Sequence, residues 1–232
     1  MTWIQDLVAY SASRLTERER DLLMGRGVSS EQMELYQLGH LNLELPEGLP
    51  EDFLRWAKNR IDDVYVLPLT TALGEIRGLQ LRHVDRKNPG YQDYFLPEQH
   101  EPCLFGLGQA VKSMWDSRYV CLVEGAFDLF PIQRAIQPVV ATLTARVSPS
   151  VARVLRRLVD SVFMAYDNDA PGIKGCKDFE EQHSHDFQVY VLPYPSVIGA
   201  KIKDPSDLWE VWGDAQLAPY IRTFINQQSQ EM

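Results

Sequence analysis

Only three cysteines, Cys103, Cys121 and Cys176, occur in 232 residues, and no two of them form a C-x-x-C pair. That spacing excludes a disulfide framework or a cysteine zinc site and leaves three reduced thiols. Long apolar runs are missing as well. The start, MTWIQDLVAYSASRLTERER, has neither the basic opening nor the apolar centre of a secretory signal, so a cytoplasmic protein without a membrane partner is expected. Basic residues are scarce: 23 Lys and Arg stand against 32 Asp and Glu, a formal net charge of −9, and acid is in excess on both sides of Arg118. A chain with this balance does not hold duplex nucleic acid by counterion release alone. Any such contact has to be local, metal-assisted or helped by a partner. Repeats and low-complexity tracts are also lacking.

What is present changes character near residue 117. Upstream, helical spacing of apolar residues predicts helices over Glu17–Met24 and Glu31–Leu38, with Ser29 and Ser30 as caps between them. The proline- and acid-rich stretch LELPEGLPED follows. Two strand-like segments, Val64–Leu69 and Glu75–Arg82, then read as a hairpin around Gly74, and Asp85 to Gly106 reads as a long connection. From Arg118 onward, short apolar runs at Tyr119–Val123, Val139–Leu143, Val162–Tyr166 and Phe187–Leu192 alternate with helical segments. Several are continuous enough to be buried on both faces, which is parallel-sheet patterning. Ser148 and Pro149 stand as cap and first residue of a helix with Val151, Val154, Leu155 and Leu158 on one face. Further helices are expected after Gly125 and after Pro171. The fold class is therefore α/β, a parallel sheet with flanking helices, preceded by a smaller mixed unit.

Open sheets of this kind place chemistry at the carboxyl ends of their strands. Glu124 ends the first run, followed by Gly125, which permits a tight turn with close backbone approach, and Asp128 lies four residues on. Asp167 and Asp169 end the third run; if the strand continues, its period of two aims both at one face. Converging carboxylates repel, so without a cation at least one of them holds a proton near neutrality. Hard oxygen ligands suit magnesium, and a pair of ions would stabilise the attacking hydroxyl and the leaving pyrophosphate of a nucleotidyl transfer. Each signal has a bland competitor: Asp-Asn-Asp is also a helix cap or a turn.

The runs VCLVEGAFDLFPIQRAI, VVATLTARVSPSVARVLRRL and VFMAYDNDAPGIKG resemble, in that order, the Toprim domain of bacterial and phage DnaG-type DNA primases. RLTERERDLLMGRGVSSEQMELYQLGHLNL and GEIRGLQLRHVDRKNPGYQDYFLPEQHEPCLFGLGQAV look like the helical start and the strand-rich basic segment of the same catalytic core. The resemblance covers about residues 12–210. It implies a primase N-terminal subdomain over 1–117, a Toprim domain over 118–200 and a C-terminal helical segment over 201–232. It also implies synthesis of short RNA primers on a single-stranded DNA template from ribonucleoside triphosphates, with magnesium or manganese, two ions, as cofactor. Glu124, Asp167 and Asp169 match the catalytic metal-binding positions and Asp128 the accompanying acid. Lys203-Asp204-Pro205-Ser206-Asp207-Leu208 resembles the family's D-P-D-like acidic element, where capping and metal contact both remain open for Asp204 and Asp207. Arg82, Gly125 and Lys203 fall at nucleotide- or template-contacting places.

The departures from the family pattern carry expectations too. No zinc-binding or helicase-binding domain has a counterpart in the sequence, the lysine expected near YQDYFLP is absent with Asp93 in its neighbourhood, and the family's G-F-G-G-R-like element reads Gly78-Leu79-Gln80-Leu81-Arg82. A core of this kind suits a phage or mobile element acting in a host cytoplasm, with a helicase or a separate template-binding subunit as partner. The alternatives are a Toprim nuclease and a non-catalytic nucleotide-binding or regulatory replication module. His183 and His185 read as solvated, Trp209 and Trp212 as helix-face packing, and Arg153, Arg156 and Arg157 as a solvated basic face.

Overall fold

The computed structural model describes residues 2–58, 60–85, 92–95 and 102–229, so that residues 86–91 and 96–101 of the stretch read as a long connection, with Tyr91, Leu96 and Pro97 of YQDYFLP, lie outside them. The chain opens with helices α1 (Trp3–Ser13), α2 (Glu17–Met24) and α3 (Ser30–Leu35), then strand β1 (Gly39–Leu41) and helix α4 (Glu51–Ala57). Strands β2 (Val64–Thr70), β3 (Ile76–His83) and β4 (Gln92–Phe95) follow. These strands form one antiparallel sheet in the order β1-β2-β3-β4. The hairpin of β2 and β3 is as the alternation predicts. Within the stretch read as a connection, however, residues 92–95 pair with β3, because backbone groups along an open sheet edge recruit even a charge-rich segment.

Beyond α5 (Leu107–Ser117) come β5 (Tyr119–Val123), α6 (Ala126–Ala135), β6 (Val139–Ala141), α7 (Pro149–Leu155), β7 (Ser161–Ala165), α8 (Ala170–His183) and β8 (Gln188–Val191). The strands form a second sheet, all parallel, in the order β6-β5-β7-β8. Both faces of β5 and β7 are covered, which is why their sequences are unbroken apolar runs. Ser148 caps α7 by accepting from the Val151 N–H at 3.3 Å, with Pro149 in the first turn. Helix α3 is capped in the same way by Ser29. It ends at Leu35 rather than Leu38, since Gln37 adopts a φ of 50° and turns the chain into β1.

The last element, α9 (Pro205–Ser229), is broken at Gly213, whose φ of 62° no helix accommodates, and packs along α6 through Leu208, Leu217, Ile221 and Ile225. One apolar core runs from α2 and α3 through β2 to β5, β7 and α6, with Tyr36, Phe105 and Phe130 fully buried. Each such side chain contributes about 1.5–3 kcal/mol by leaving water. Leu104 bridges to Thr70 and Phe105 to Ala141, so two consecutive residues tie the end of β2 to the edge of the parallel sheet. The two sheets are thereby held in a fixed relation, with the strand tips of β5 and β7 facing the segment that precedes α9. Among the described residues no helix is long and apolar enough to cross a membrane.

Candidate carboxylate site

Strand β5 hands Glu124 to the sheet edge, and β7 does the same for Tyr166 and Asp167. One residue past the Val123–Ala141 and Val123–Ala165 pairs, Thr142, Glu124 and Tyr166 end three adjacent strands side by side. The Glu124 Oε2 and Tyr166 hydroxyl are both buried and without a hydrogen-bond partner among the described residues. Burial, with the charges of Asp167 and Asp169 nearby, pushes the Glu124 carboxyl from its ordinary 4.5 to about 7. Burial also drives the Tyr166 phenol up.

Strand β7 stops at Ala165, so Asp167 and Asp169 are not brought together by strand alternation. They meet instead through the turn into α8. Asp169 is the N-cap of α8, its Oδ1 accepting from the Gly172 N–H at 3.0 Å, and that bond holds its carboxyl below the usual range. A Cβ at Gly172 would run into the Asp167 carbonyl, so only glycine lets the first turn of α8 close against the residue that carries the site. Gly172→Ala is expected to lower stability by about 1–3 kcal/mol through backbone displacement, readable as a shift in the urea midpoint; an unchanged midpoint would remove this constraint.

Lys203 joins the two aspartates. Its Nζ lies 2.6 Å from Asp167 Oδ2 and 3.4 Å from Asp169 Oδ2. The hydrogen bond to Asp167 raises the Lys203 ammonium above its ordinary value. Its backbone is held on both sides: its carbonyl accepts from the Asn168 N–H at 2.5 Å, and its own N–H donates to Asp207 Oδ2 at 2.8 Å. Asp207 is thus turned toward Lys203. Asp204 caps α9, accepting from the Asp207 N–H at 2.7 Å, while burial raises its carboxyl. Asp128, on the first turn of α6, is buried and accepts from Ser206 N–H at 3.2 Å and Ser206 Oγ–H at 2.7 Å; desolvation, then the charge of Asp204, pushes it upward. In the D-P-D-like element it is therefore Ser206, and not Asp207, that faces Asp128.

Gly125 begins α6 at a φ of −91°, an ordinary extended value, and its lack of a side chain leaves room for the Asp128 carboxylate rather than for a left-handed turn. Arg82 on β3 stands with its guanidinium 5.8 Å from the Phe127 ring, one residue from Asp128, so the first sheet does present a cation toward this edge. The discounted residues fall away from the site: His185 is exposed, His183 packs 4.9 Å from Phe179, and Arg156 pairs with Asp186. Trp209 and Trp212 pack partly on the core, but Val211 beside them is exposed.

Among the described residues, no three carboxylates, imidazoles or thiolates are gathered closely enough to hold an ion as they stand. The convergence expected of Glu124, Asp167 and Asp169 is incomplete because an ammonium group already occupies the space between two of them. The donor set nonetheless fits a hard divalent cation. It is all oxygen, Glu124 carries an orphaned buried oxygen, and the Lys203 ammonium is a cation standing where another could. Lys203, expected at a nucleotide- or template-contacting place, stands instead on Asp167 and Asp169, and no spacing in the sequence announces that ion pair.

Residues 121–209 match the Toprim-like family. The chain is 26% identical, over 89% of its length, to the DNA primase of Deinococcus radiodurans, and 32% identical, over 48% of its length, to that of Aquifex aeolicus. It spans 40% and 23% of those two proteins. Its structure matches the zinc-binding and RNA polymerase domains of the Aquifex aeolicus primase with a TM-score of 0.74 at 20% identity, covering 95% of this chain and 59% of that one. It matches the RNA polymerase domain of Mycobacterium tuberculosis primase DnaG with a TM-score of 0.74 at 18% identity, over 94% and 81% of the two chains. A DnaG primase catalytic domain bound to single-stranded DNA gives 0.71 at 20%, over 95% and 79%. The carboxylate-bearing sheet edge therefore lies within the residues that match the Toprim-like family, and the chain that carries it has the fold of the DnaG-type primase catalytic core.

Proposed function

We propose that this chain is a nucleotidyltransferase of the primase type, making short RNA primers on single-stranded DNA from ribonucleoside triphosphates. The observation that supports the reading is Glu124 at the tip of β5 beside Asp167 and Asp169 in the turn from β7 into α8, on a Toprim-like sheet opposite a first sheet that presents Arg82. Glu124, Asp167 and Asp169 would hold magnesium or manganese, with Asp128 and Asp204 beside them. Bound there, such ions neutralise phosphate charge and stabilise the attacking and leaving oxygens of an in-line displacement.

The chain's own contribution is positioning. The Asp169 cap fixes the start of α8, Asn168 pins the segment before α9, and Ser206 holds Asp128, so the acidic groups keep their places without rearrangement. Arg82, beside Phe127, is placed to meet a phosphate backbone entering between the two sheets. The net charge of −9 means that such contacts have to be few and local. A helicase or a separate template-binding subunit would supply the remaining template affinity by raising its local concentration.

Incubation with single-stranded templates, labelled ribonucleotides and magnesium or manganese tests the reading. Short labelled products are expected, and Arg82→Ala is expected to weaken template use roughly uniformly across sequences, about tenfold, with a shallower salt dependence. Shortened templates would make the protein a nuclease. No change in either strand would leave only a nucleotide-binding or regulatory module.

A further inference from the structure

We infer that Lys203 is an exchangeable counter-ion: it occupies the Asp167–Asp169 pair until a divalent cation displaces it, and its ammonium then turns to the triphosphate that accompanies the cation. The inference rests on the metal-binding reading proposed above and specifies how that site is loaded.

The geometry has three parts. First, the ammonium lies 2.6 Å and 3.4 Å from the two carboxylates, close enough to neutralise them. A divalent ion bound by the same oxygens cannot share the space with a second cation, because both seek the same lone pairs and repel each other. Second, the Lys203 backbone is anchored while its side chain is not. Asn168 and Asp207 hold the main chain on either side, yet 46% of the side chain remains exposed. The long flexible stem can therefore leave the carboxylates without disturbing the cap of α9. Third, the alternatives available to a displaced ammonium close by are poor. Asp128 is buried against Ser206, and Asp204 spends one oxygen on the α9 cap. An incoming triphosphate bound to the cation brings the concentrated negative charge that the ammonium has lost.

Two consequences can be measured. Lysine competition weakens the affinity for magnesium alone, and the transfer of the ammonium to phosphate makes magnesium and triphosphate bind cooperatively. Linkage requires that each ligand raise the affinity of the other by the same factor. A lysine fixed permanently on Asp167 also weakens magnesium binding but gives no cooperativity with triphosphate, and a lysine that merely attracts phosphate leaves the affinity for magnesium alone unchanged.

The experiment is calorimetric titration of magnesium into the full chain, and of inorganic tripolyphosphate with and without magnesium, for the wild type, Lys203→Met and Lys203→Arg. Lys203→Gln stands in if the Met variant does not fold, as judged by circular dichroism. Removing the charge is expected to tighten magnesium binding about tenfold while the magnesium-dependent gain in tripolyphosphate affinity falls by a factor of about five or more. Lys203→Arg, which keeps the charge, is expected to retain weak magnesium binding. Magnesium binding to the wild type that is unchanged or weakened in Lys203→Met overturns the exchange and leaves the metal site standing. Magnesium binding to none of the variants overturns the metal site and the exchange with it.

Discussion

Asp167→Asn is expected to abolish metal-dependent nucleotide transfer, by about a thousandfold or more, while the protein stays folded. Asp167 has no capping duty to perform: Asp169 caps α8, Asp204 caps α9 and Asp128 is taken up by Ser206, whereas the Asp167 carboxylate faces only the Lys203 ammonium among the contacts described above. An asparagine keeps the shape of the side chain and one oxygen but loses the negative charge that a divalent ion requires. Losing that interaction costs about 4 kcal/mol in the transition state, or about a thousandfold in rate. Asp169→Asn is expected to be milder, since the amide oxygen can still accept from the Gly172 N–H and preserve the helix cap. The difference separates charge from architecture. Primer synthesis on a defined template, followed over a magnesium series for both variants, decides the matter. Full activity of Asp167→Asn at all magnesium concentrations would show that the reacting centre lies elsewhere.

The same substitution also bears on Lys203. With Asp167 neutral, the ammonium keeps only the longer contact to Asp169, 3.4 Å in the native site, so a folded-state ion pair is lost along with the Asp167 charge. For this reason Asp167→Asn gains little from relieved carboxylate repulsion. Lys203 has already offset that repulsion in the native chain.

Where the fold was legible in the sequence, one physical rule spoke alone. The runs Tyr119–Val123 and Val162–Tyr166 are continuous because both of their faces are covered, and β5 and β7 lie within one residue of them. Helix α7 was marked by a cap, a first-turn proline and an apolar stripe acting together. Helices α1, α4 and α5 were not marked in this way. Helix α4 follows Pro50 inside a stretch whose prolines and acids argue for a loop, and it is held by burial of Phe53 and Ala57 rather than by propensity. Helix α5 starts from Gly106 at a φ of 86°, a conformation no pattern of polarity announces. Strand β4 exists only through its pairing with β3.

The site divides along the same line. That Glu124 and the Tyr166-Asp167 pair follow neighbouring strands comes from counting apolar residues, since each strand delivers its next residues to the sheet edge. Which groups then meet depends on turns whose direction is set by tertiary contacts. The arrival of Lys203 between Asp167 and Asp169 needs the Asn168–Lys203 backbone bond, across 35 positions of sequence. The turning of Asp207 away from Asp128, with Ser206 in its place, needs the cap of α9.

The metal-free protein is expected to lose stability as pH rises from about 5 to 8, and magnesium is expected to restore it. The folded Glu124 has its carboxyl raised from 4.5 to about 7, so between those values the native state holds a proton that the unfolded chain has released. Where the native state binds more protons, stability falls with increasing pH. Asp128 and Asp204, both raised by burial, act in the same direction. Asp169 is lowered and contributes stability that disappears only at more acidic pH, while Lys203 is raised and contributes until the pH is well above this window. Neither reverses the slope. One pKa unit corresponds to about 1.4 kcal/mol, which for Glu124 alone sets an upper bound of about 3.5 kcal/mol. Solvent screening of this partly exposed group brings that to about 1–2 kcal/mol, or a fall of roughly 2–8 °C in Tm for a chain of this size. Glu124→Gln carries no titrating proton and is expected to flatten the profile relative to the wild type, which isolates the contribution of this group. An ion that binds only the native state, at about a hundred times its Kd, adds about 2.7 kcal/mol and does so most strongly where the carboxylates are ionised. Melting curves in chelator and in magnesium, taken across this pH range for the wild type and Glu124→Gln, provide the measurement. Parallel, flat profiles in chelator would mean that Glu124 is already ionised and well solvated near neutrality, and that the buried, unpartnered oxygen at the tip of β5 is not waiting for a cation.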